Sequence, residues 1–191
     1  MTIYYWIILA LWLIFITFWA VSAFGAKRSV KRRAWGREVG IRLVVVALIL
    51  LVLRVPAVTH GLRHLQAHLV NADPRLGIAG VVLSALGLGL AIYARIHLGK
   101  NWGLPMSRRA DPELVTDGPY SLVRHPIYSG LILMMLGSVL AETIAWILPL
   151  IFVSAYFIYS ARTEERFMAG EFPEAYAAYR KRTKMLVPLL L

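Results

Sequence analysis

Cysteine is absent from the 191 residues, which excludes a disulfide framework, a thiol nucleophile and any thiolate metal site, and leaves the redox compartment undetermined. Acidic residues are scarce too: 10 Asp and Glu stand against 21 Lys and Arg, a formal net charge of +11. In a soluble chain that excess would suggest nucleic acid, but no aromatic-basic module of that kind is present. Charge as a whole is thin, 16% of residues, while 59% are hydrophobic. Such a composition belongs to an integral membrane protein, whose cytoplasmic loops collect Lys and Arg. The first apolar run lacks a basic n-region and a small-residue cleavage site, so it is expected to stay as an anchor. No repeat of about 20–50 residues is visible, and no second domain.

What is present is a series of apolar runs. Residues 1–26 carry no charge, enough for a first span of about 20 residues. The run Lys27-Arg28-Ser29-Val30-Lys31-Arg32-Arg33 follows, with Arg37 close behind. It reads as a topology signal that puts this loop in the cytoplasm and the N-terminus outside; anionic-lipid binding is the other reading. A second span is expected over residues 41–59, with Arg42 and Arg54 snorkelling at its edges. His60, His64 and His68 then recur every four residues with leucines between, which suits a short helix lying in the outer interface. No carboxylate nearby completes a ligand set, so no metal site is assigned to them.

Asn71-Ala72-Asp73-Pro74 caps a third span, 76–96, which carries Gly77, Gly80, Ser84 and Gly87 at three- or four-residue steps. That stripe predicts close helix packing. Gly87-Leu88-Gly89 sits in mid-span with no strand before it, so it is no nucleotide loop. Residues 95–125 form a polar loop, placed inside by alternation. Within it, Lys100-Asn101-Trp102-Gly103 reads either as an interfacial anchor or as part of a polar site. Spans 127–141 and 143–161 are separated by Glu142 alone, which predicts an antiparallel hairpin. The outer segment between Arg54 and Arg75 holds only three Lys or Arg residues, in keeping with this topology. The expectation is an all-α integral membrane protein of one domain, residues 1–191, with five transmembrane helices, N-terminus out and C-terminus cytoplasmic. A prokaryotic inner membrane is the expected location.

Chemistry concentrates at the cytoplasmic ends of the hairpin. Tyr120, Arg124, His125 and Tyr128 stand at one end, and Arg162, Glu164 and Glu165 at the other. Ionisable residues at the mouth of a membrane helix are a functional-site hypothesis by default. If the hairpin joins the two groups, the pocket offers cations for a carboxylate, acids for an ammonium and aromatic faces for a planar base or an onium ion. A zwitterionic amino acid joined to adenosine through a sulfonium meets these demands, and so does a phospholipid headgroup. Arg124 and His125 as interfacial anchors, and Arg162 with the glutamates as a solvated helix end, are the site-free alternatives.

Leu114-Val115-Thr116-x-Gly118-x-Tyr120-x-x-x-Arg124-His125-Pro126-x-Tyr128-x-Gly130, followed by Arg162-x-Glu164-Glu165 and Phe172-x-x-x-Tyr176-x-x-Tyr179, resembles the isoprenylcysteine carboxyl methyltransferase family and the wider group that includes phospholipid methyltransferases. The likeness runs from Asn101 to Pro188, so residues 76–191 would be a methyltransferase core behind a two-span region, 1–75. It implies S-adenosylmethionine bound on the cytoplasmic side, converted to S-adenosylhomocysteine, with a lipophilic substrate arriving from the bilayer. By position, Pro112, Glu113, Leu114 and Val115 would line the adenosine. Tyr120, Arg124, His125, Pro126, Ile127, Tyr128, Glu164 and Glu165 would hold the rest of the cofactor. Arg162, with Asn101 and Trp102 shaping its side, would face the methyl acceptor, and Glu164 would join them in catalysis. Phe172-Pro173 replaces the family's usual Phe-Gly turn. The acceptor stays open between a carboxylate, a phospholipid headgroup and a small thiol. Outside methyl transfer, a reductase using NADPH, similar to the sterol reductases, and a haem protein with His97 and His125 as ligands remain the alternatives.

Overall fold

The computed structural model describes residues 2–23, 73–102 and 113–188. The expected second span, the basic run from Lys27, the three outer histidines and Pro112 lie outside the described residues. Regular structure among the described residues is helical: α1 (Ile3–Ala23), α2 (Pro74–Leu98), α3 (Pro126–Ala141), α4 (Ile147–Glu171) and α5 (Pro173–Arg182). Short 3-10 turns occupy Gly99–Asn101, Gly118–Ser121 and Ile144–Trp146.

Two of these helices, α1 and α2, are long and apolar enough to cross a membrane. The start of α2 follows from its cap: the Asp73 carboxylate accepts from Arg75 N at 2.8 Å, and Pro74 fills the first helical position, where no amide is needed. The small-residue stripe then decides what α2 packs on. Gly80, Ser84 and Gly87 are buried, and a Cβ on Gly80 or Gly87 would strike the backbone of Gly137 or Gly130 on α3. Ser84 Oγ donates to Met134 O at 3.0 Å across the same seam. Bare backbones can therefore approach closely without water, the usual solution where lipid offers no hydrophobic drive between helices. Trp12 of α1 reaches over to donate to Ser138 Oγ at 3.1 Å, and its ring stacks on Trp146.

Helix α3 has 16 residues and is apolar but short. The expected link through Glu142 is present, though α4 begins and ends later than the apolar pattern suggests. Thr143 opens a turn, its Oγ1 accepting from Ala145 N at 3.3 Å and its carbonyl from Trp146 N at 3.1 Å, so the helix starts at Ile147 rather than 143. At the far end it runs ten residues past Ala161, to Glu171. No helix breaker other than Gly170 stands before Pro173, so backbone hydrogen bonding continues after the apolar run has ended. The polar extension is a rigid arm of about 15 Å at 1.5 Å per residue.

After α5 the chain turns back as a strap. Arg124 N donates to Lys184 O at 2.8 Å and His125 N to Met185 O at 3.1 Å, while Ser129 Oγ donates to Leu186 O at 2.5 Å. Tyr128, Ala161, Met185 and Leu186 form the buried cluster where α3, α4 and the strap meet. The α2–α3 seam gives a direct contrast between two glycines. Gly137→Leu should cost about 1–3 kcal/mol or more, because its Cβ meets Gly80 and Ser84 backbone atoms. Gly89→Leu, with open space around the same position, should be neutral. Thermal unfolding in a neutral detergent, read for both variants, distinguishes them.

Candidate functional site

The site starts from a turn that α2 holds in place. Gly118 has φ +54°, and the His97 ring packs where a side chain would stand, so both conformation and space require glycine there. His97 Nε2 lies 3.1 Å from Asp117 Oδ1, and the His97 ring stacks on Tyr120. The Asp117 carboxyl is held below its ordinary value, chiefly by the hydrogen bond from His97. Tyr120 is buried: its hydroxyl donates to Ala94 O at 3.4 Å, and its carbonyl accepts from Tyr179 OH at 2.6 Å. Burial pushes the Tyr179 phenol up to about 12, so it remains a donor throughout the neutral range.

Beyond this turn the two groups of charged residues meet. Arg124 Nε donates to Glu165 Oε1 at 2.7 Å, and Arg124 Nη1 donates to the Thr183 carbonyl of the strap. Both side chains of this ion pair are nearly enclosed, at 8% and 10% exposure. His125 lies between the two glutamates, Nδ1 3.6 Å from Glu164 Oε2 and Nε2 3.5 Å from Glu165 Oε1. The buried Nε2 forms no hydrogen bond of proper geometry. Tyr128 OH donates to Glu164 Oε1 at 2.6 Å, and Ser160 Oγ lies 3.2 Å from both Tyr128 OH and Glu164 Oε1. The rings of His125, Tyr128 and Phe157 form a continuous pile, with centroid spacings of 5.5 and 4.6 Å.

Two helical periodicities produce this arrangement. Phe157, Ser160, Ala161, Glu164 and Glu165 share one face of α4 because they recur at three- and four-residue steps. Pro126 starts α3 one residue after His125, so Arg124 and His125 sit on the turn at its mouth and Tyr128 on its first turn. Arg162 falls outside that face. It is exposed, and its side chain has no hydrogen bond or ion pair among the described residues. Glu164 keeps a carboxylate edge accessible, at 28% side-chain exposure.

A second polar group lies at the end of α2. Asn101 is buried, and its Nδ2 donates to Glu113 Oε2 at 2.5 Å, which joins the α2 end to the extended run of Glu113, Leu114 and Val115. Trp102 lies under the Arg95 guanidinium, 4.6 Å from ring centroid to charge centre. Pro126 is buried within this mouth, and Ile127 packs against the cluster around Tyr128. Sequence reasoning overlooked Arg95, Phe157, Ser160 and Thr183. An arginine inside the third apolar run was the available signal for Arg95, and the helical spacing ahead of Glu164 was the signal for Phe157 and Ser160. Thr183 gave none, since it acts through its backbone carbonyl.

Burial by itself would raise the Glu165 carboxyl, but the adjacent His125 imidazole and the hydrogen bond and charge of Arg124 win and hold it at about 2. A lowered carboxyl stabilises the fold fully above its unfolded value of 4.5, and this contribution is lost as pH falls through about 2. Acid unfolding of the detergent-solubilised protein should therefore show a loss of stability across that window. Glu165→Gln should lack this component and, by leaving Arg124 buried without its partner, should be destabilised at neutral pH by on the order of 3 kcal/mol.

The family model described as phospholipid methyltransferase matches residues 76–175, from the start of α2 into α5. The chain is 39% identical over 113 residues to the cobalt-zinc-cadmium resistance protein CzcN of Cupriavidus metallidurans, covering 58% of this chain and 50% of that one. It is 31% identical over 109 residues to the protein-S-isoprenylcysteine O-methyltransferase of Schizosaccharomyces pombe, covering 55% and 46%. The nickel-cobalt-cadmium resistance protein NccN of Alcaligenes xylosoxydans is 31% identical over 156 residues, covering 80% of this chain and 65% of its own. The chain thus spans about half the length of the first two relatives. The matched region holds the α2–α3 seam, the arginine-histidine mouth and the paired glutamates, and on that match the chain belongs to the phospholipid methyltransferase family, whose members similar to it include protein-S-isoprenylcysteine O-methyltransferases.

Proposed function

We propose that the protein is an S-adenosylmethionine-dependent membrane methyltransferase acting on a lipophilic acceptor, with a carboxylate favoured as the nucleophile. The observation that carries this reading is the junction of Arg124, His125 and Tyr128 with Glu164 and Glu165 across the α3–α4 hairpin. Family membership supports it independently. In this reading five helices span the bilayer, the second being residues 41–59, and the N-terminus lies outside. The site opens to the cytoplasm of a prokaryotic cell.

The groups at the junction suit an amino-acid sulfonium. Glu164 offers an accessible carboxylate edge to an ammonium, the buried and unbonded Nε2 of His125 offers a polar contact, and the His125–Tyr128–Phe157 pile offers aromatic faces to a cation. Glu113, Leu114 and Val115, with Pro112, would border the adenosine, and Tyr120, Pro126 and Ile127 would close the wall between. Bound there, S-adenosylmethionine would supply a sulfonium methyl open to in-line displacement. The protein contributes alignment and dryness. Tyr128 and Ser160 hold the Glu164 carboxylate in one orientation, and the Arg124–Glu165 pair locks the arm of α4 to the mouth of α3. An acceptor carboxylate is ionised at neutral pH and needs no base. Orientation of the reacting groups is worth up to about 7–11 kcal/mol in favourable systems. Removal of water from the anion adds to it. Asn101 and Trp102 shape the acceptor side, and Arg162 approaches it from the outer face of α4. A phospholipid amine or a small thiol would follow the same geometry, with His125 taking the proton, since Glu165, the other candidate base, is committed to Arg124 and held at about 2.

Glu164→Gln should lower affinity for S-adenosylhomocysteine in a calorimetric titration while the protein stays folded and extractable; unchanged affinity removes Glu164 from the site. Arg162→Ala should reduce turnover more than cofactor binding, and an equal loss of both would move it to the cofactor side. Thermal stabilisation by S-adenosylhomocysteine and not by NADP separates methyl transfer from nicotinamide chemistry. A radiolabelled-methyl screen over lipid extracts identifies the acceptor.

A further inference from the structure

Arg95 is a buried cation with no acid paired to it among the described residues. It is 5% exposed, in the last turn of α2. Its Nη1 donates to Gly99 O at 2.9 Å and its Nη2 to Ser22 O of α1 at 2.6 Å. Trp102 covers one face of the guanidinium. No carboxylate among the described residues lies within ion-pair distance of it, in contrast to Arg124, which has Glu165. Its Nε is buried with no hydrogen-bond partner. The carbonyls it binds belong to helix C-termini, which supply only a fraction of a negative charge. A full charge taken out of water asks for more than that.

Asn101 lies between the two residues, Gly99 and Trp102, that Arg95 contacts at the end of α2. It is 7% exposed, and its Oδ1 also lacks any partner, while its Nδ2 is committed to Glu113. An orphan donor on a cation and an orphan acceptor on an amide therefore flank Trp102, both enclosed. This group adjoins the cofactor wall, because Tyr120 OH bonds to Ala94 O, the residue before Arg95. Buried polar atoms without partners are uncommon in folded chains, and two of them beside an unpaired charge are better explained by a ligand than by packing.

We propose that Arg95, with Asn101 beside it, is the binding point for the anionic oxygen of the methyl acceptor. This rests on the methyl-transfer reading and deepens it, since it assigns to a buried arginine on α2 the acceptor contact for which Arg162 on the exposed face of α4 was the sequence candidate. Arg95 supplies the charge, Asn101 Oδ1 accepts from a hydroxyl or amide hydrogen on the acceptor, and Trp102 forms an apolar side. Carboxylates and phosphates share this chemistry.

The test uses the full chain in neutral detergent, with dodecanoate, dodecyl phosphate and dodecanol as probes and the unfolding temperature as readout. Dodecanoate or dodecyl phosphate should raise it and dodecanol should not, and whichever anion acts at lower concentration assigns the acceptor as carboxylate or phosphate. Arg95→Lys keeps the charge and the carbonyl contacts but lacks Nε, and should need about tenfold more anion for the same shift. Lys181→Gln, on the exposed side of α5, should respond as the unchanged protein does. Should Arg95→Lys fail to fold, Asn101→Ala takes its place, with the same weakening expected. An anion response equal to that of dodecanol, retained undiminished in the Arg95 or Asn101 variant, or lost equally in Lys181→Gln, overturns the proposal. S-adenosylhomocysteine titrated in parallel reads the cofactor side separately, so a failed acceptor site and a failed methyltransferase assignment give different results.

Discussion

An arginine enclosed where an apolar helix begins must have its charge answered, and Glu165 answers the charge of Arg124 at 2.7 Å. Much of the site's geometry follows from that ion pair. Its two members come from helices joined by a hairpin, so forming it fixes the angle at which the polar arm of α4 leaves the apolar bundle. The Thr183 carbonyl takes a second guanidinium hydrogen, and the main chain of Arg124 and His125 takes up the strap behind it. Charge-assisted bonds of this kind are stronger than neutral ones and far more demanding in direction. The consequence is a small polar floor with its side chains already oriented.

The rest of the bundle serves that floor in a different way. Along α2 and α3, glycine and serine let backbones touch, and Ser84 ties the seam with a bond to Met134 O. A seam of this type is stiff and carries little chemistry of its own. It holds the C-terminal end of α2 against the turn at Gly118, where His97, Asp117 and Tyr120 interlock. The polar group at the end of α2 and the one at the hairpin mouth are thereby both tied to the segment that carries Tyr120. A methyl donor and a methyl acceptor need just such a fixed relation, because in-line displacement is intolerant of misplacement.

Membership of the phospholipid methyltransferase family covers α2 to α5, the part of the chain in which these features lie. The relatives carry two kinds of name, methyltransferases acting on isoprenylcysteine and proteins of metal resistance. Names of both kinds on one scaffold are in keeping with function residing in the side chains grafted on a fold. The paired glutamates face an arginine and a histidine.

Local order explains what could be read along the chain. Hydropathy and helix-end chemistry are properties of neighbours in sequence, and so the helical class, the Asp73–Pro74 cap, the packing stripe and the break at Glu142 were all legible. The length of α4 was not, because an apolar pattern marks where lipid ends and says nothing of where helical hydrogen bonding ends. Motif spacing likewise named Arg124, His125, Tyr128 and the glutamates without telling which pairs touch. That required the hairpin to close across some forty residues, with the strap entering behind it. The exposed place of Arg162 and the buried place of Arg95 depend on which way a helix is turned. Rotation about a helix axis is set by the neighbours it packs against, and those exist only once the chain has folded.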